Sequence, residues 1–351
     1  MVPVGGGRGC QPLLAQPVEL GSCHPCAMTR RSKVLASLGA LGLVVLLWRI
    51  DLNAVKVSLL HVGWGMALVL SQEVVAHALN GCAWRFAFTP ESARRVSLGE
   101  LIRLRVAGDA INYLTPTATI GGEVARTMLL SDACGGEARA VSVVTAKATQ
   151  TLAQAFFITA GLIFIAKEWV GLATARWTLA GAGVGLAAVM LVARRLNARG
   201  GGTAAAWRRV VGIGLVGFVR SHPERVALST LLFALAYAWG ALEAYWICRF
   251  LLHPVSPVVA FAIEVLSITI DGLLFVVPAK IGTQEGGKVV AFAALGLPTS
   301  LGFAFGVVRH VRELVWAAVG ILLYGVAIRR GLSSSPTALI GDAGTPTARR
   351  A

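Results

Sequence analysis

The sequence predicts an all-α polytopic membrane protein with about six full transmembrane helices and two re-entrant helical hairpins, arranged as an inverted repeat. Its 351 residues are 56% hydrophobic and only 14% charged, and the mean hydropathy is +0.71. Because soluble domains carry about 25% charged residues, this composition is typical of a chain that lies mostly in a bilayer. Two further observations support the fold class: two pairs of apolar segments are each interrupted by proline and glycine, and a charged pattern occurs twice in register.

The charged pattern spans five positions, and each position of the second copy lies 162 residues after its counterpart. The first copy is Asp109, Pro116, Glu123, Arg126 and Lys147, and the second is Asp271, Pro278, Glu285, Lys288 and Arg309. Charged side chains are costly in a bilayer and are usually functional there. Their repetition indicates an internal duplication, and paired interruptions of apolar segments are typical of transporter binding sites.

The apolar segments follow one another along the chain with short polar connections. Full spans are predicted at about Val34–Ile50, Val62–Phe88, Ala140–Ala166, Arg176–Leu196, Glu224–Leu252 and Leu301–Ile328. The first resembles a signal peptide, but no A-x-A cleavage site follows it, so we expect an uncleaved helix. The interrupted pairs are Leu98–Thr115 with Ile120–Leu130 and Val258–Val277 with Ile281–Leu295. Their halves are marginal spans, since a transmembrane helix needs roughly 20 apolar residues.

The two ends of the chain differ from the apolar region between them. We expect a disordered leader over residues 1–29, with Met28 as the natural start, and a disordered tail over residues 331–351. Residues 30–330 then form a single membrane domain with repeats at 62–167 and 224–328. The six cysteines do not form a disulfide pattern, and the C-x2-C spacing of Cys23 and Cys26 has no second pair to complete a zinc site.

The basic residues predict the orientation. If the N-terminus is cytoplasmic and both interrupted pairs are re-entrant, most basic clusters fall inside, as the positive-inside rule requires. The clusters are Arg30–Lys33, Arg85–Arg105, Arg139, Arg194–Arg209, Arg220–Arg225 and Arg329–Arg330. Both termini are then cytoplasmic and the hairpins enter from opposite faces, which makes the halves inverted. This clustering also accounts for the net charge of +15 and argues against a nucleic-acid partner.

The interior charges predict a binding site at the two breaks. Helix N-termini at the breaks can face an anion, the cations add formal positive charge, and Asp109, Glu123, Asp271 and Glu285 are the expected partners of those cations. The candidate headgroup or transport residues are Asp109, Asn112, Glu123, Arg126, Lys147, Asp271, Glu285, Lys288, Arg309, Arg312 and Glu313. An alternative is that these charges only pair with each other inside the bundle. That is less attractive for the whole set, because buried pairs contribute weakly to stability.

Other interior residues suggest more specific roles. Glu73 and His77 share one helix face and could relay protons or bond each other, and Arg309, Arg312 and Glu313 could form a charged cavity wall. The glycines that we expect to permit tight re-entry at the breaks are Gly121, Gly122, Gly282, Gly286 and Gly287. The spacing of Gly302 and Gly306 favours close helix packing. The sequence contains no G-x-S-x-G, H-E-x-x-H or P-loop motif, so an enzyme is not favoured and no metal or other cofactor is expected.

Two runs resemble a known family. The run from Asp109 to Arg126 resembles the first signature of the lysylphosphatidylglycerol synthase transmembrane (flippase-like) family, and the run from Pro278 to Lys288 resembles its second. The resemblance covers roughly residues 34–328. The segments Lys147-Ala-Thr-Gln-Thr-Leu and Trp239-Gly-Ala-Leu-Glu243 resemble the branch associated with hopanoid biosynthesis. The second signature departs from the family pattern, because Lys280 stands where the family usually has glycine.

The resemblance implies a multi-pass protein of the bacterial inner membrane that handles lipids. In the aminoacyl-lipid members a separate soluble domain makes the lipid, and we expect no such domain after Arg330. The expected function is a lipid transporter or flippase for an anionic or polyprenoid-type lipid that is hopanoid-linked. Its partners would be a membrane lipid and lipid-biosynthetic enzymes. The alternative is a membrane-embedded transferase or scaffold in a lipid-biosynthetic complex.

Overall fold

A computed structural model describes residues 56–57, 60–114, 120–130, 136–169, 203–273, 280 and 282–333. These residues form helices and connecting turns, with no strand among them. The helices are α1 (Gly65–Phe86), α2 (Pro90–Arg95), α3 (Leu98–Leu114), α4 (Ile120–Leu129), α5 (Gly136–Trp169), α6 (Thr203–Ser221), α7 (Pro223–Phe250), α8 (Pro257–Leu273), α9 (Thr283–Ala294) and α10 (Thr299–Ser333). The prediction of an all-helical chain is therefore confirmed for this part of the sequence.

Three of the described helices are long and apolar enough to cross a membrane: α5, α7 and α10. They correspond to three of the six predicted spans. Helix α1 has 22 residues, but Gln72, Glu73, His77 and Asn80 lower its hydropathy. The predicted spans Val34–Ile50 and Arg176–Leu196 lie outside the described residues, as do the predicted leader and the tail beyond residue 333.

The helices expose apolar side chains outward and bury charged ones. Phe156 on α5 is 67% exposed, and Leu231 on α7 and Leu322 on α10 are exposed as well. In contrast, Arg126 and Lys288 are 2% and 0% exposed. A soluble protein seldom buries Lys or Arg fully, whereas a membrane protein turns its rare charged residues toward the bundle interior. The fold is thus that of a multi-pass membrane protein.

The two interrupted segments form two helical hairpins. Helices α3 and α4 pack against each other, as do α8 and α9. In the first hairpin, the amide of Gly122 donates a hydrogen bond of 2.7 Å to the side-chain oxygen of Asn112. A Cβ at Gly122 would overlap with the carbonyl oxygen of Gly108. The backbones therefore approach as closely as they do because residue 122 is glycine.

In the second hairpin, the backbone just before α9 adopts the left-handed conformation. Lys280 has φ +49° and Gly282, the N-cap of α9, has φ +73°. Gly287 packs on Ile270, but a Cβ at Gly286 would meet nothing within 4 Å. The expectation that Gly286 permits tight re-entry is therefore wrong. Pro116 and Pro278, at which the sequence predicts the breaks, lie outside the described residues.

Close contacts between helices bring the two hairpins around one interior. Helix α1 packs on α7, α3 packs on α10, and α8 packs on α5. Gly320 of α10 lies against the backbone of Val106, and Gly161 of α5 lies against Val265. A Cβ at Gly306 would lie 2.9 Å from the Cα of Glu285, and one at Gly302 would lie 2.8 Å from the carbonyl oxygen of Lys288. The prediction of close packing at Gly302 and Gly306 is therefore confirmed.

Candidate functional site

The first cluster of buried charges joins the two helices of the first hairpin. Arg126 on α4 donates to Asp109 on α3 at 2.6 Å and to Glu123 at 2.7 Å. Its guanidinium also donates to the backbone carbonyl of Arg105 at 3.1 Å. Arg105 in turn pairs with Asp109 at 3.2 Å. Both arginines are buried, so the two carboxylates supply the interactions that water would provide outside the membrane.

Lys147 on α5 extends this cluster toward a third helix. Its ammonium lies 3.7 Å from Glu123, and its side chain is partly exposed. Asn112 lies one turn beyond Asp109 and holds α4 through Gly122. All five candidate residues of the first half therefore lie in one group, and the expected pairing of its cations with Asp109 and Glu123 is present.

The second cluster repeats the central ion pair of the first. Lys288 on α9 donates to Asp271 on α8 at 2.8 Å, just as Arg126 donates to Asp109. The second carboxylate oxygen of Asp271 accepts a hydrogen bond from Lys280 at 3.4 Å. Lys280 also donates to Glu313 on α10 at 3.0 Å. Lys280 therefore bridges α8 and α10, a role that sequence reasoning did not assign to it.

Two expected pairings of the second half are wrong. Glu285 contacts His310 of α10 rather than Lys288. Arg309 pairs with Glu243 at 3.0 Å and with Glu264 at 2.5 Å, instead of joining the pattern residues of its own repeat. The physical reason is that α7 and α8 present carboxylates to Arg309. In the first half, the position that corresponds to Glu264 is Ile102. Lys147, the counterpart of Arg309, therefore has no carboxylate partner at that position.

The proposed interaction between Glu73 and His77 is also absent. Glu73 accepts a hydrogen bond of 2.8 Å from Arg312, which donates to Glu243 as well, at 2.6 Å. His77 packs its ring on Trp316 with a centroid distance of 4.6 Å. It is 9% exposed, and neither ring nitrogen has a hydrogen-bond partner among the described residues.

A cavity of about 260 Å³ lies between the two clusters. Both halves of the chain contribute to it, and its wall carries equal numbers of cations and carboxylates. The charged residues of the wall are Glu73, Arg105, Asp109, Lys280, Arg312 and Glu313. His77, Tyr113 and Gln150 also line it, and each has a polar atom without a hydrogen-bond partner in the described part of the chain. The cavity can therefore offer both donors and acceptors to a polar guest.

The accessibility of the cations differs across the site. Arg126 and Lys288 are buried behind their carboxylates and do not line the cavity. The Lys280 side chain is 31% exposed and faces the cavity. Arg312 and Glu313 line the wall as expected, whereas Arg309 lies behind it. No group of three or more His, Cys, Asp or Glu side chains could hold a metal ion within the described residues.

Some residues of the site were not among the sequence candidates. Arg105 is among the basic clusters that predict the orientation, Glu73 is considered only together with His77, and no role is predicted for Glu243 or Glu264. The signal that could have identified the three glutamates is a carboxylate inside an apolar span, since such a residue is rare there and usually functional. Arg105 had no comparable signal, because a loop rich in arginine precedes it.

The helical bundle with its charged interior defines an integral, multi-pass membrane protein. Comparison with known families then identifies the chain more closely. Residues 33–320 match the family described as lysylphosphatidylglycerol synthase TM region, and the chain belongs to this family. Membership makes it a membrane protein involved in lipid handling. No curated protein and no solved structure is significantly similar to the chain.

Proposed function

We propose that the protein is a flippase-like lipid transporter of the bacterial inner membrane. It takes the headgroup of an anionic or polyprenoid-type lipid into the cavity between its hairpins. The observation that carries this proposal is the polar cavity inside a bundle with an apolar exterior, with walls formed by both halves of the chain. A polar chamber within a membrane protein marks a path for substrate or ions. The resemblance to the hopanoid-associated branch favours a hopanoid-linked lipid.

The headgroup would contact the exposed cations rather than the deeply buried ones. Lys280 and Arg312 line the cavity and already balance Glu313 and Glu73. A phosphate that enters the cavity would compete with those carboxylates for the two cations. Arg126 and Lys288 would hold the hairpins in shape through Asp109 and Asp271, which are their ion-pair partners.

An inverted repeat would supply the alternation between the two membrane faces. Two features support it: the equivalent pairs Asp109–Arg126 and Asp271–Lys288, and the packing of α3 on α10 and of α8 on α5. In inverted repeats, one half rocks against the other around a fixed midplane site. With both termini cytoplasmic, the first hairpin would open to the cytoplasm and the second to the other side.

The test measures the movement of lipid between leaflets. The full chain is reconstituted in vesicles that contain a fluorescent phosphatidylglycerol or a fluorescent polyprenyl phosphate, and an impermeant quencher reports the outer leaflet. We expect the wild type to expose inner-leaflet probe and Lys280→Gln to do so at least several-fold more slowly. Lys167→Gln, which changes an exposed lysine near the end of α5, is the matched control and should behave as the wild type.

Two results would overturn the proposal. Lipid modification by the purified wild type, without movement of either probe, would favour the transferase. Copurification with biosynthetic enzymes, again without movement, would favour the scaffold. Equal rates for wild type and Lys280→Gln would show that the protein moves lipid but does not bind the headgroup in this cavity.

A further inference from the structure

The charged side chains of the cavity wall are already partnered. The six charged residues of the wall form three ion pairs with each other: Arg105 with Asp109 at 3.2 Å, Arg312 with Glu73 at 2.8 Å, and Lys280 with Glu313 at 3.0 Å. Each cation of the wall therefore faces a carboxylate of the same wall. A guest of the cavity meets charges that compensate one another before it arrives.

The neutral polar side chains of the wall, by contrast, have unused hydrogen-bonding atoms. Both ring nitrogens of His77, the hydroxyl of Tyr113 and the amide oxygen of Gln150 are buried and have no hydrogen-bond partner among the described residues. These residues belong to α1, α3 and α5, and we call them the neutral face of the cavity. Because an unpaired buried polar atom costs about 1–3 kcal/mol, we expect these atoms to bond whatever fills the cavity.

Ring packing holds two members of the neutral face in place. His77 packs on Trp316 with a centroid distance of 4.6 Å, and the indole nitrogen of Trp316 donates to the backbone carbonyl of Leu70 at 3.1 Å. Tyr113 meets the ring of His310 edge to face, with centroids 6.4 Å apart. Side chains that are locked by packing keep their polar atoms in a fixed arrangement. A guest of matching chemistry therefore finds these atoms already positioned.

The donors and acceptors of the neutral face indicate the chemistry of the guest. An amide oxygen only accepts, a hydroxyl both donates and accepts, and a neutral imidazole has one donor and one acceptor nitrogen. An ionised phosphate only accepts, so it cannot bond the oxygen of Gln150. An ammonium only donates, so it cannot bond the donor nitrogen of His77. A hydroxyl group can bond every member of the neutral face.

Water has the same hydrogen-bonding capacity as a hydroxyl, and this makes the site selective. A cavity of about 260 Å³ holds roughly eight water molecules at about 30 Å³ each. A headgroup that displaces ordered water without reproducing its hydrogen bonds loses affinity. A site whose buried polar groups bond a hydroxyl therefore rejects the analogue that lacks it.

We propose that the cavity selects lipids whose headgroup carries hydroxyl groups, as a polyol or a sugar does, and that the neutral face recognises those hydroxyls. Lys280 and Arg312 can bind a phosphate in the same headgroup, but they do not require one, because Glu313 and Glu73 balance them. The inference rests on the proposed function, since it takes the guest of the cavity to be a lipid headgroup. The preference for hydroxyls is measured both with and without translocation.

Binding is tested with soluble headgroups and the full chain in lipid nanodiscs. Trp316 lines the cavity, so its fluorescence reports a guest, and Trp316→Phe should remove the signal. We expect glycerol 3-phosphate to bind at least several-fold more tightly than inorganic phosphate or phosphoethanolamine.

Two variants test whether the neutral face causes this preference. Tyr113→Phe and Gln150→Leu should each reduce it. The matched controls Tyr245→Phe and Gln154→Leu should keep it, because neither residue lines the cavity. Equal affinities of the wild type for the three headgroups, or a preference that survives in both test variants, would overturn the inference. If Gln150→Leu loses its helical circular dichroism, Tyr113→Phe decides the question, since it removes a single oxygen atom.

Translocation is compared in the vesicle assay for four fluorescent lipids with the same labelled acyl chain. Phosphatidylglycerol and glucosyl diacylglycerol carry hydroxyls in the headgroup, whereas phosphatidic acid and phosphatidylethanolamine do not. We expect the wild type to move at least one of the first two several-fold faster than either of the others. A preference for phosphatidylglycerol alone would identify a polyol phosphate as the guest, and a preference that includes the glucosyl lipid would identify hydroxyls without phosphate; both support the inference.

The two proposals fail in different ways. Equal rates for all four lipids, or the fastest movement for phosphatidic acid or phosphatidylethanolamine, would overturn the hydroxyl preference and leave the proposed function in place. A wild type that binds glycerol 3-phosphate with the expected preference but moves no lipid would overturn the proposed function and leave the recognition of hydroxyls in place.

Discussion

At the scale of single residues, Lys280 combines an unfavourable backbone with a bridging side chain. Its φ of +49° lies in the left-handed region, which costs roughly 1–2 kcal/mol for a residue with a Cβ. In return, its ammonium pairs with both Asp271 of α8 and Glu313 of α10. Lys280 stands where the family usually has glycine, so this chain carries an additional positive charge near the hairpin. The structure gives the added charge two partners.

This backbone conformation predicts an unusual order of stability at position 280. Lys280→Gly and Lys280→Ala both remove the ammonium, but only alanine keeps the Cβ that the left-handed region disfavours. We expect the glycine variant to be more stable than the alanine variant by about 1 kcal/mol. Denaturant unfolding in detergent micelles measures the difference. At Arg103, an exposed residue within α3, the order should reverse, because glycine is about 1 kcal/mol worse than alanine inside a helix. The same order at both positions would contradict the prediction.

The ion pairs show which contacts a sequence pattern can predict. The pairs Asp109–Arg126 and Asp271–Lys288 follow from a spacing that occurs twice. The contacts of Arg309 with Glu243 and Glu264 do not, because they depend on how α7 and α8 are rotated against α10. Nothing in the spacing of charges along one helix determines that rotation.

At the scale of elements, the first hairpin depends on the absence of one side chain. Gly122 lies so close to α3 that a Cβ would overlap with both the carbonyl of Gly108 and the amide of Asn112. Its own amide donates to Asn112, so α4 cannot move away without losing that hydrogen bond. By contrast, Gly286 at the corresponding end of the second hairpin faces open space.

These two glycines form a matched pair for mutation. Gly122→Ala should lower the free energy of unfolding by about 1–3 kcal/mol, since overpacking forces the backbones apart. Gly286→Ala should leave it unchanged or raise it by about 0.5–1 kcal/mol, because alanine favours the helix and meets no neighbour. Thermal unfolding of both variants in the same detergent compares them. Equal losses of stability would show that the two hairpins pack alike.

The hairpin helices were predicted within a few residues of their observed bounds. The sequence predicted Leu98–Thr115, and α3 is Leu98–Leu114; it predicted Ile281–Leu295, and α9 is Thr283–Ala294. Proline and glycine act locally on the backbone, so their effect can be read without knowledge of the fold. The open space at Gly286 could not be read in this way, because it depends on the neighbouring helices.

At the scale of the whole molecule, the distribution of charged and apolar side chains between interior and exterior is the reverse of that in a soluble protein. Buried cations pair with carboxylates of the same and of neighbouring helices around one cavity, while large apolar side chains cover the outside. The lipid-facing exterior follows from composition alone. The convergence of both hairpins on one cavity follows from the packing of α3 on α10 and of α8 on α5, which the repeated pattern suggested but could not determine.

The proposed inverted repeat predicts that equivalent connections lie on opposite sides of the membrane. The sequence Arg85-Phe86-x3-Pro90 at the end of α1 matches Arg249-Phe250-x3-Pro254 at the end of α7. Arg94, in the connection after α1, and His253, in the connection after α7, are both exposed. A single cysteine is introduced at each of these positions in a chain whose own cysteines are replaced by serine. Labelling with an impermeant maleimide then shows on which side of the membrane each position lies.

We expect Arg94→Cys to react only after the cytoplasmic face is opened, because the basic residues around it follow the positive-inside rule. His253→Cys should react in sealed cells whose membrane presents its outer face to the reagent. Prior treatment with a permeant thiol reagent should abolish both signals, which controls for unspecific labelling. If both positions react from the same side, the halves are related by a parallel rather than an inverted repeat. The cavity between the hairpins would then have to open to both faces by a motion other than the rocking of two inverted halves.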